Sequence, residues 1–101
     1  IIFEATRDNN SIHLYWKSEE DDSKKTYYVL KGRVLKNRRI DWEILETVNA
    51  DGKKRGRYHV IDINPYLGKI YYRLRISEDG NNIEYTPLYF VDEKESNILG
   101  K

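Results

Sequence analysis

Two histidines, seventeen carboxylates and eighteen lysines and arginines are the chain's ionisable stock. His13 and His59 fall at outward positions of two stretches of alternating polarity. The two stretches are expected to be neighbours, so the imidazoles could lie near each other, and such a pair could bind a metal. No third ligand stands at a spacing that would complete such a centre, so surface histidine is the plainer reading. Asp62 precedes Ile63, Asn64 and Pro65, and an Asp there can accept backbone N–H bonds across a turn. Its role is read as structural. Glu19, Glu20, Asp21 and Asp22 offer oxygen ligands of the kind Ca²⁺ takes. They lack the spaced Asp/Asn and Gly of a dedicated loop, and Lys24 and Lys25 follow, so a solvated loop is expected. Asn9, Asn10 and Ser11 match a glycosylation triplet but sit where a hairpin turn is needed. No Ser stands in a G-x-S-x-G context. Cysteine is absent, which removes thiol nucleophiles, thiolate metal sites and disulfides. The chain is therefore expected to be no enzyme and to need no cofactor or metal.

Charge narrows the partners. Eighteen cations against seventeen anions leave a net charge of +1, unlike the strong basic excess of nucleic-acid-binding domains. The cations concentrate in two segments, five between Lys31 and Arg39 and four between Lys53 and Arg57. Two separate patches make a poor track for a phosphate backbone. No nucleic acid is expected as partner. No apolar run approaches the ~18 residues of a helical membrane span. The chain opens at Ile1 and contains no Met, so it reads as a piece of something longer.

Stepping along the 101 residues, period-two alternation recurs in short runs separated by turn residues. The runs are 1–6, 11–17, 27–33, 40–48, 57–63, 69–77 and 82–91. Nine Tyr, two Trp and two Phe suit a pleated, half-buried surface. The fourth run alternates imperfectly, which predicts an edge strand with a bulge. Pro87 places the seventh run at an edge as well. Residues 92–101 read as a linker or tail. Seven such runs predict an all-β, two-sheet antiparallel sandwich. Its core is expected to hold Phe3, Ile12, Leu14, Trp16, Tyr27, Val29, Trp42, Leu45, Tyr58, Val60, Tyr72, Leu74, Ile76, Leu88 and Phe90. Alternation then turns Tyr28, Leu30, Tyr71, Arg73, Arg75 and Tyr89 outward on one sheet. Tyr and Arg combine large contact area with a polar end, which suits a face that meets a partner. Those rings, with Trp42 if its edge strand exposes it, could equally stack on a polysaccharide.

Tyr58-x-Val60-x-x-Ile63-x-Pro65 followed by Tyr72-x-Leu74-x-Ile76 resembles the fibronectin type III signature. By that resemblance Tyr72 is the corner tyrosine, its ring in the core and its OH bonded to the backbone of the crossover loop. Ile63 is the aliphatic beneath it, and Trp16 takes the place of the family's core Trp. The interval from Ile63 to Tyr72 is longer than in animal modules and is similar to a subtype of Bacteroidetes surface and secreted proteins. Phe3 and Ala5, Leu14 and Trp16, Tyr27 and Val29 match its opening. Tyr58, Asp62, Pro65, Gly68, Tyr71, Tyr72, Arg73 and Leu74 match its middle, and Asp79-Gly80 and Tyr85-Thr86 its end. The likeness spans residues 1–91. It departs after the third run, where Leu30-Lys31-Gly32 replaces the subtype's E-R-S and a longer basic connection follows.

The resemblance implies a fibronectin type III-like, immunoglobulin-like sandwich. It also implies a non-catalytic interaction or spacer module of a larger secreted, envelope or cell-surface bacterial protein. That setting is extracellular, cell-surface or periplasmic. The partner would be a protein or a neighbouring domain. A carbohydrate-binding module attached to an enzyme is the alternative. Relatives often precede a type IX secretion sorting domain, which these residues do not contain.

Overall fold

A computed structural model describes residues 2–18, 24–50, 56–66, 68–87 and 89–92, with backbone alone at 82, 83, 89, 90 and 92. The strands are β1 (Ile2–Asp8), β2 (Ser11–Ser18), β3 (Lys25–Val34), β4 (Ile40–Asn49), β5 (Gly56–Asp62), β6 (Lys69–Glu78), β7 (Asn81–Tyr85) and β8 (Tyr89–Asp92). One antiparallel sheet runs β1-β2-β5. The other runs β4-β3-β6, with β7 and β8 both along the far edge of β6. Counting β7 and β8 as one interrupted strand, seven strands form a sandwich of three against four, all β as the alternation predicted.

The interruption is local chemistry. Thr86 donates its N–H to the Leu74 carbonyl at 3.0 Å and accepts the Leu74 N–H on Oγ1 at 2.9 Å. A side-chain oxygen thus stands in for a backbone acceptor, and the following Pro87 has no N–H to pair. Turns obey residue type. Asp79 and Gly80 both take positive φ, 53° and 83°, as the two-residue turn joining Glu78 to its partner Asn81 requires. At the β3–β4 connection Leu35 N–H donates to Arg39 O at 2.8 Å, and Arg38 takes φ 66°.

Between the layers, Ile12, Leu14, Trp16, Tyr27, Val29, Ile70, Tyr72, Leu74 and Ile76 are buried. Trp16 stacks on Tyr58 at 5.2 Å and meets Tyr27 edge-on at 5.6 Å, arrangements that suit the ring quadrupoles. Phe3, Leu45 and Tyr58 are half-buried against this core. Ile70, Val91 and Ala50 join it, and so does Lys31, a cation at an inward strand position. Leu88 lies outside the described residues. Phe90 is described only in backbone, where it pairs with Tyr71.

Three expectations need correction. Trp42 is not a core residue. A register shift at Val29/Leu30 leaves Leu45 as the extra residue of β4, so Leu45 turns inward and Trp42 pairs with Gly32 on the outer face. Gly32 makes room for it: a Cβ there would lie 2.5 Å from Ile40 Cγ2 and 3.0 Å from two Trp42 ring carbons. Ile63 is 82% exposed, because Asp62, not Ile63, points inward at the end of β5. Tyr72 is buried as expected, but its OH bonds a carboxylate rather than loop backbone, as follows.

Candidate binding face and crossover cluster

On the outer side of the β4-β3-β6-β7 sheet, register sets the neighbours. Tyr28 lies opposite Arg75, Leu30 opposite Arg73 and Gly32 opposite Tyr71. Tyr85 on β7 pairs with Arg75. The Arg75 guanidinium carbon sits 4.3 Å from the Tyr28 ring centre. That of Arg73 is 4.4 Å from both the Trp42 ring and the Tyr85 ring. Such contacts attract the cation to the negative ring face. They also hold each guanidinium against its rings on the outer face. The Nε atoms of Arg73 and Arg75 are buried without a hydrogen-bond partner among the described residues.

Four of the six residues expected on this face, Tyr28, Tyr71, Arg73 and Arg75, are half-buried on its outer side. Leu30 faces the same way but is only 5% exposed, covered by its neighbours, so it supports the face rather than presenting it. Tyr89 is described in backbone alone, as the pair of Tyr72; its side chain lies outside the described part. Trp42 was expected here only for polysaccharide binding, if its edge strand exposed it, and Tyr85 was not foreseen. Tyr85 is 48% exposed and Ile44 beside them 51%. Among the described strand side chains facing outward on this sheet there is no carboxylate. The three acidic residues of β4 pair with inward-facing positions of β3: Asp41 with Arg33, Glu43 with Lys31 and Glu46 with Val29.

The opposite outer face carries the histidines. His13 Nδ1 and His59 Nε2 are 2.8 Å apart, and Tyr15 stacks on His59 at 4.4 Å. Asp8 Oδ2 lies 3.6 Å from His13 Nε2. Which ring donates in the His13–His59 contact depends on their tautomers. The expected proximity of the two rings is therefore present. No group of three His, Cys, Asp or Glu able to hold a metal occurs among the described residues. The 19–22 acidic run and the cations Lys53, Lys54 and Arg55 lie outside the described residues.

A second polar cluster sits where the chain crosses between sheets. Asp62, 1% exposed, accepts from Tyr72 OH at 2.7 Å and from the Asn64 N–H at 3.1 Å. The Asn64 bond is the turn contact expected of Asp62. Lys31 Nζ lies 3.0 Å from Oδ2 and 3.2 Å from Oδ1 of the same carboxylate, and donates to the Asn64 carbonyl at 3.1 Å. Glu43 is 4.0 Å from Lys31 Nζ and accepts the Tyr66 hydroxyl. The Tyr66 ring carries Lys31 at 4.4 Å and Arg33 at 4.2 Å. Burial, reinforced by the bond to Glu43, pushes the Tyr66 phenol up to about 12. Burial and the Asp62 bond raise Tyr72 well above the ordinary phenol range. Only Asp62 and Tyr72 were singled out from sequence; Lys31 was not, since a lone strand lysine ordinarily signals solvent.

No family model, no curated protein and no solved structure matches this chain.

Proposed function

We propose that this chain is a fibronectin type III-like, non-catalytic module of a larger secreted, envelope or cell-surface bacterial protein, and that its four-stranded face binds a protein partner. The observation that carries this reading is the face itself. Two guanidiniums stacked on Trp42, Tyr85 and Tyr28, with exposed Ile44 beside them, give the aromatic and arginine composition that concentrates energy in interfaces. Support for the family reading comes from the strand order and from Tyr72 buried at the crossover. The mechanism is rigid display: paired strands fix the rings, so little side-chain freedom is lost on docking.

The test is capture from a Bacteroidetes envelope extract by the wild-type chain and by a Tyr28→Ala, Tyr71→Ala, Arg73→Ala triple variant of unchanged circular dichroism. A partner retained by the wild type and lost by the variant supports the face. Equal capture by both refutes it.

A further inference from the structure

The crossover cluster has no part in the binding face, yet its groups are arranged as reactants. Lys31 Nζ rests against both oxygens of the Asp62 carboxylate, at 3.0 and 3.2 Å. The two side chains are 6% and 2% exposed, so water has little access. Each carboxylate oxygen already receives a second donor, Tyr72 O–H on Oδ2 and Asn64 N–H on Oδ1. A further carboxylate, Glu43, stands 4.0 Å from the same nitrogen. It is held by the Tyr66 hydroxyl, and the Tyr66 ring lies over the ammonium. A nucleophile, an electrophile with donors on both oxygens, a proton carrier and an aromatic wall are thus assembled in one place.

We propose that Lys31 and Asp62 condense into an intramolecular amide, a covalent strap from β3 in one sheet to the end of β5 in the other. One proton passes from the ammonium to Asp62 along the existing contact, giving amine and carboxylic acid. The nitrogen lone pair then attacks Cγ. The C–N bond forms as the carbonyl electron pair moves onto the oxygen held by Tyr72 O–H. Glu43 takes a proton from the nitrogen and returns it to the departing hydroxyl, which leaves as water with its bonding pair. The sum is ammonium plus carboxylate to amide plus water, with no change of net charge, no redox step and no co-reactant. Burial favours this direction twice over: it disfavours the charged reactants and excludes the water that would hydrolyse the product.

Intact mass of the purified full chain, measured under denaturing conditions, decides the matter. The expected mass is one water below that of the sequence, and digestion is expected to yield a branched peptide joining the segments that contain residues 31 and 62. An unaltered mass overturns the proposal. So does a water loss confined to one linear peptide, the mark of a cyclic imide at an Asp-Gly pair such as Asp79-Gly80. Because Glu43 is half exposed and its replacement is isosteric, Glu43→Gln is expected to fold and to remain largely at full sequence mass when the wild type is converted. Conversion of Glu43→Gln at the wild-type rate overturns the proton-carrier role. Lys31→Met and Asp62→Ala are expected to keep full mass, and a loss of water in either also overturns the assignment.

Discussion

Adding one methyl group at Gly32 is the sharpest test of how the outer face is built. A Cβ there would lie 2.5 Å from Ile40 Cγ2 and 3.0 Å from Trp42 Cε3 and Cζ3. Ordinary carbon contacts are about 3.5–4.0 Å, so the Ile40 methyl and the indole must move aside or the strand must shift. Overpacking of this kind costs about 1–3 kcal/mol. Lifting the indole also forfeits its contact with Arg73, 4.4 Å away, an interaction of about 0.5–2 kcal/mol. Gly32→Ala is therefore expected to destabilise by about 2–4 kcal/mol, measured as a lower urea midpoint at unchanged slope. The near-ultraviolet dichroism of Trp42 should change with it. In a Trp42→Ala background the two ring contacts are gone while the Ile40 contact stays, and the same substitution should cost at least about 1 kcal/mol less. If Gly32→Ala is neutral within about 0.5 kcal/mol, or if the two changes simply add, Trp42 does not lie over Gly32 and the stacked face is wrongly drawn.

Two further outcomes follow from single bonds. Thr86→Val keeps shape but removes the acceptor of the Leu74 N–H, which lies in a buried strand. A loss of about 1–3 kcal/mol is expected in denaturant unfolding, and a variant as stable as wild type would show that this N–H has another acceptor. Alkaline pH should weaken the fold through the two phenols raised from 10.0. Below the unfolded value both states are protonated and the stabilisation is complete. Above it the unfolded chain ionises first, so stability falls as pH climbs toward the folded value of about 12 for Tyr66. Tyr66→Phe should flatten that slope, and flat stability across the phenol range in the wild type would contradict the raised phenols.

Much of the sandwich could be read from alternation because its strands are half-buried and the period of two survives in β2, β5 and β6. It failed where the backbone departs from that period. One extra residue at Leu45 exchanges the faces of β4, so Trp42 left the core list while staying in the same strand. The face was legible in Tyr28, Tyr71, Arg73 and Arg75 because direct cross-strand neighbours follow from register. Trp42 and Tyr85 reach Arg73 diagonally, and a diagonal contact needs ring orientation that no linear pattern encodes. Lys31 was hidden for another reason: its burial makes sense only once Asp62, thirty-one positions away, is known to sit under it.

The interruption at Thr86 and Pro87 has a further effect on how such modules behave in crowds. Each sheet of a sandwich offers two open rims of unpaired amides to any neighbour in extended conformation. In the four-stranded sheet one rim is broken in the middle and carries an imino residue, while the other, β4, is buckled by its extra residue and bears Asp41, Glu43 and Glu46. Neither margin of that sheet can template a long straight ladder with a second molecule. Densely packed copies of this unit would resist zipping through that sheet, and the rims left open to a neighbouring strand are those of β1 and β5.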